Sequence, residues 1–245
     1  MFWKRKLKCP IKVEDSEWIL NQLEWINDNV VNIRNQETIL PTKKYFDWDF
    51  SGVEIDAEKV LKQVGEYCII DTSEINLEIY SEEGIELDRG TITQKEEGEG
   101  TSGVFIQEED EISILIEERQ LKNPISLIAT VVHELSHYKL IVGKGVILEG
   151  EENEWITDLL SIAYGFGIFI GNSKFEFSQF ESGDGWGGWQ YSIQGYLPQQ
   201  ITAHAMAEIE IRKRSEMPNW TKFLKNDFKT DFEKSMNYLL KKNVE

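Results

Sequence analysis

The stretch from Pro124 to Val142 leaves this chain the least freedom. Its apolar residues Ile128, Val131, Val132 and Leu135 recur three and four apart, the period of one helix face. Asn123 supplies an N-cap and Pro124 suits the first helical position, while Gly143 closes the pattern. A helix over this stretch is therefore predicted. At about 100° per residue its apolar stripe lies opposite His133 and His137, so the helix can bury one face and turn both imidazoles toward a cleft.

Those histidines belong to His133-Glu134-Leu135-Ser136-His137, an H-E-x-x-H pattern. Side chains four apart share a helix face, so both rings can reach one zinc ion. Glu134 sits about 100° round from His133, next to the open coordination position, where it could take a proton from a metal-bound water. The chain has three histidines, and two of them make this pattern. The competing explanation is a core helix with two surface histidines and an incidental glutamate.

A zinc site of this type needs a third protein ligand. His204 is the remaining histidine, which makes a carboxylate the better choice. Glu154 and Asp158 stand four apart on the next predicted helix, Glu154 coming 17 residues after His137. That leaves room for a turn and the start of a returning helix. Glu154 is the expected ligand, and Asp158 the expected acceptor for the free ring nitrogen of a ligand histidine. The reverse assignment, with Asp158 on the metal, stays open, and two solvated helix acids are the plainer alternative. Hydrogen-bond donors for an oxyanion are sought among His204, Tyr196 and Tyr191; each could equally be a core or surface side chain.

Composition narrows the partners. Lys and Arg number 26 against 44 Asp and Glu, a net charge of −18. Nucleic acid and anionic membrane surfaces repel such a chain. Thirteen acidic residues against Arg89 and Lys95 fall within 82–118, the acidic outer face expected of a half-buried sheet. Cys9 and Cys68 are too few and too far apart for a disulfide framework. The basic start Met1–Pro10 is not followed by an apolar segment, and the run Leu159–Ile170 is too short to cross a bilayer. A cytoplasmic protein is expected, its oligomeric state open.

Elsewhere the periodicities predict helices over 15–33, with Asp15 or Ser16 as N-cap and Trp18, Leu20, Trp25, Ile26, Val30 and Ile33 mostly on one side, and over 56–68. Strands are expected at 76–80, 101–107 and 111–117. A helix following Glu149–Glu154 should end or kink at Gly165-Phe166-Gly167. Pro198 should open a helix carrying His204, and a final amphipathic helix should run from Trp220 to about Lys241. The Gly- and Trp-rich stretch 182–190 reads as a loop or hairpin. The organisation predicted is one zincin-like unit over 1–245, with a helical lobe at 1–70, the sheet and motif helix at 71–145, and a helical part with the third ligand at 146–245.

His133-Glu134-x-x-His137 followed by Glu154-x-x-x-Asp158 resembles the gluzincin, or thermolysin-like, arrangement of the zincin metallopeptidases. The resemblance covers two helices. It implies that Glu134 is the general base, Glu154 a zinc ligand and Asp158 a residue behind the ligands. Cys9-Pro10, Trp18, Leu40-Pro41-Thr42, Thr157-Asp158-Leu159-Leu160, Gly165-Phe166-Gly167-Ile168-Phe169 and Gln194-Gly195-Tyr196-Leu197 are similar to an uncharacterised family of bacterial H-E-x-x-H proteins. That wider resemblance implies a bacterial, intracellular protein.

The expectation is thus an α+β, zincin-like fold with a small twisted sheet packed on the motif helix and a mostly helical remainder. The expected activity is a zinc-dependent hydrolase, foremost a metallopeptidase acting on a peptide or protein through Glu134-assisted attack of zinc-bound water. A hydrolase of small amides, and a non-catalytic zinc-binding regulatory or immunity-type protein, are the alternatives.

Overall fold

In a computed structural model the protein is α+β, mostly helical with one small mixed sheet of three strands. Described are residues 8–47, 56–80, 103–108, 111–146, 150–180 (side chains to 173), 196–214 and 216–242. The Gly/Trp stretch 182–190, Tyr191 and most of the acidic stretch lie outside them. The chain divides into two compact units: Pro41–Ile147, and a second made of Met1–Leu40 with Leu148–Glu245.

The Pro41–Ile147 unit carries the sheet. Helix α1 (Val13–Asn29) belongs to the other unit, and α2 (Ala57–Cys68) to this one. Asp56 caps α2, its side chain accepting from the backbone N–H groups of Glu58 and Lys59. Strands β1 (Ile75–Tyr80), β2 (Gly103–Glu108) and β3 (Glu111–Glu117) follow. Their order is β1-β3-β2, with β1 parallel and β2 antiparallel to β3. Gly103 pairs with Ile116 and Phe105 with Ile114. Directly paired residues share a sheet face, and Ile114 and Ile116 are fully buried. Leu115 and Glu117 are buried as well, so the end of β3 is enclosed on both faces, where a half-buried strand was expected.

Helix α3 (Pro124–Lys144) is the core of this unit. Asn123 is its N-cap, accepting from Ser126 N–H at 3.2 Å. It outruns the expected stop at Gly143 and ends at Gly145, whose φ of 64° is the left-handed conformation that glycine adopts without strain. The N–H of Val146 closes on the carbonyl of Leu140 at 3.0 Å, satisfying a terminal acceptor. By length and apolarity α3 alone among the described helices could cross a membrane, and most of it is buried, as in a core helix.

The second unit is helical. In α1 the buried residues are Ile19, Leu23 and Ile26; of the face expected, Ile26 is buried, while Trp18, Leu20 and Trp25 are half-buried. Trp18 meets Trp155 edge-on at 5.6 Å instead. The helix begins after Lys12, with no side-chain cap, so Asp15 falls in the first turn rather than at the cap. There it favours the helix through the dipole. Ile33 lies in a separate 3-10 turn, Ile33–Asn35.

Helix α4 (Glu151–Ser161) passes through a π-helical turn, Ile162–Phe166, into α5 (Gly167–Phe180). The expected kink is real and centred on Gly165, whose φ is 100°. Its carbonyl accepts from Ile39 N–H at 3.0 Å, and the carbonyl oxygen of Glu37 occupies the place a Cβ would take. Only glycine fits both demands. Helix α6 (Gln199–Lys213) follows Pro198, and α7 (Asn226–Lys242) packs along it. A 3-10 turn over Asn219–Phe223 replaces the expected start of the last helix. On α6 the buried Glu210 accepts from Thr38 at 2.8 Å and pairs with Lys213 and Arg214, each at 3.3 Å. Burial pulls the Lys213 pKa down, and Glu210 opposes that pull.

Candidate metal centre

The motif residues sit in the middle of α3, where the helix is buried on nearly every side. His133 is 3 % exposed, Glu134 3 % and His137 6 %. The two imidazoles face each other with their Nε2 atoms 3.1 Å apart and their ring planes at 79°. Ser136, between them in sequence, donates to the carbonyl of Val132 at 2.8 Å. Its hydroxyl is thereby satisfied within the helix.

Strand β2 passes along this part of α3. A Cβ on Gly103 would overlap the Thr130 methyl and stand 3.0 Å from Glu134 Oε1. Two residues on, the Phe105 ring lies nearly parallel to the His137 ring, 6.5 Å between centroids and 20° between planes. It also meets Tyr138 edge-on at 6.4 Å. Neither Gly103 nor Phe105 was singled out from sequence. A signal did exist: a glycine inside a strand pattern often marks a close backbone approach.

Helix α4 holds the two carboxylates singled out after the motif. Glu154 lies in its first turn with Glu151 and Glu152, where the helix dipole favours negative charge. Glu154 is 8 % exposed and Asp158, one turn on, 1 %. Asp158 Oδ2 accepts from Leu197 N–H at 3.0 Å. Leu197 in turn accepts from Thr202 Oγ1 at 3.1 Å. Asp158 therefore ties the entry to α6 onto α4, and the half-buried Tyr196 is the residue beside that tie.

His204 has different surroundings. It is fully buried on α6, and its Nε2 is 3.7 Å from Glu208 Oε1. The Tyr238 ring of α7 is 6.2 Å away. Burial drives its pKa down to about 4, and Lys242 pushes the same way. The imidazole is neutral at pH 7.

No family model matches the chain, and no curated protein or solved structure is significantly similar to it.

Proposed function

We propose that this chain is a zinc-dependent peptidase of zincin-like architecture, with His133, His137 and Glu154 as the metal ligands. The spacing of the two imidazole nitrogens carries the reading. Two nitrogens bound at about 2.0–2.1 Å to one tetrahedral ion lie about 3.3 Å apart; His133 and His137 are at 3.1 Å before any ion is considered. A carboxylate completes a donor set common for catalytic zinc, and Glu154, buried in the first turn of α4, is the one that the sequence spacing offers. An ion held there supplies Lewis acidity and lowers the pKa of a bound water.

The protein's own groups then have these roles. Glu134, beside His133 on α3, accepts the proton of the attacking water and passes it to the leaving amine. Tyr196 is the proposed donor to the developing oxyanion. Asp158 holds the segment that carries Tyr196 through Leu197. His204 is assigned to the packing of α6 and α7, since its neighbours are Glu208 and Tyr238.

The position of β2 favours a peptide over a small amide. Among the described strands it is at the sheet edge, and it runs past Glu134. An edge strand offers backbone groups to which an extended peptide can pair.

The test is Glu134→Gln, assayed on a peptide library and for metal content. The proposal expects turnover to fall by at least 10²-fold, in line with loss of a general base, while metal stays bound. Unchanged turnover would sink the catalytic role. If the wild type cleaves nothing but loses stability on chelation, the metal is structural and the chain a binding protein.

A further inference from the structure

We infer that Phe105 is a positioning residue for the His137 imidazole, fixing the ring in the orientation from which it can bind metal. The inference rests on the proposed ligand role of His137. A histidine on a helix can rotate about χ1 and χ2, and chelation needs one rotation in which Nε2 faces Nε2 of its partner. Metal-ligand histidines are commonly held by a hydrogen bond from the other ring nitrogen. Here an aromatic plane is also present. Phe105 lies at 20° to the His137 ring, within the offset-stacked range of aromatic pairs. His133 meets the same ring edge-on at 4.7 Å. Turning His137 about χ2 would give up the near-parallel arrangement with Phe105.

The fold places Phe105 there. Gly103 and Phe105 point to the same side of β2 because side chains alternate along a strand. Gly103 abuts Thr130 and Glu134 and Phe105 meets His137, so that side of β2 faces α3. Two residues of strand advance about 6.8 Å and one helical turn about 5.4 Å. Gly103 at Thr130 and Glu134, then Phe105 at His137 and Tyr138, follow from that near-match. The strand thus gives backbone clearance at the base and an aromatic cover at the second ligand.

Three variants test this, with cobalt(II) as the probe after chelation of bound metal. Phe105→Leu keeps apolar bulk without a plane, Phe105→Ala removes both, and Phe105→Tyr keeps the ring. Cobalt affinity is read from the visible d–d bands, and apo stability from thermal unfolding. We expect Phe105→Leu to bind cobalt 10- to 100-fold more weakly, the range for residues that orient ligands, with altered band positions. Phe105→Tyr should restore wild-type affinity and spectrum. Wild-type affinity and bands in folded Phe105→Leu would overturn the inference, as would equal weakening in Phe105→Tyr. If wild type and His137→Ala bind cobalt alike, the ligand assignment fails instead, so the two failures are distinct.

Discussion

Gly103 of β2 and Glu134 of α3 are packed so closely that a Cβ on the glycine would stand 3.0 Å from the glutamate's Oε1. The same Cβ would collide with the Thr130 methyl. Gly103→Ala therefore has to push the strand away or move Glu134. The expected loss of stability is about 1–3 kcal/mol, as for other overpacked sites. Thr130→Ser, which removes the methyl, should recover part of it. Chemical denaturation of the two single variants and the double variant measures both effects, and independent, additive losses would contradict the packing described.

Asp158 is 1 % exposed and accepts from the Leu197 backbone. Asp158→Ala leaves that N–H without its carboxylate, at a cost of roughly 1–3 kcal/mol. Asp158→Asn keeps an oxygen acceptor and should lose clearly less. Hydrogen exchange at Leu197 distinguishes the cases: faster exchange in the alanine variant is expected, near-native exchange in the asparagine variant.

The sheet, the helices at 57–68 and 199–213, and the long motif helix follow from patterns that sequence displays directly: alternation, apolar stripes, Asn123-Pro124, Pro198. What it hides is set by tertiary packing. Trp18 and Trp25 look like core by size, yet both are only half-buried, and the buried line of α1 runs through Ile19, Leu23 and Ile26. Gly143 reads as a stop, but a glycine ends a helix only where the backbone turns left-handed, and that happens at Gly145. The histidine pair is local and legible. Phe105 is not, because its role depends on which strand passes which turn of α3.

His204 gives a pH dependence whose sign is fixed. Burial lowers its pKa from 6.5 to about 4, so between those values the unfolded chain binds a proton that the folded one does not. Stability from this group is complete above pH 6.5 and is lost as pH falls toward 4, roughly 3 kcal/mol in all. Glu208 acts in the opposite sense: burial raises its pKa despite Arg212 and Lys242, so its contribution declines as pH rises through the carboxylate range. Unfolding free energies for the Glu208→Gln protein and for the same protein with His204→Leu, taken from pH 7 to 4, isolate the histidine. The histidine-free protein should show the flatter profile; parallel profiles would contradict the assignment.

The central claim, that His133, His137 and Glu154 hold one zinc ion, is tested most directly by metal analysis of the purified protein and its ligand variants. The account predicts about one zinc per chain in the wild type, and loss of most of it in His133→Ala, His137→Ala and Glu154→Ala. Full zinc occupancy in the folded His133→Ala/His137→Ala double variant would contradict the site altogether, and full occupancy in Glu154→Ala alone would remove Glu154 from it.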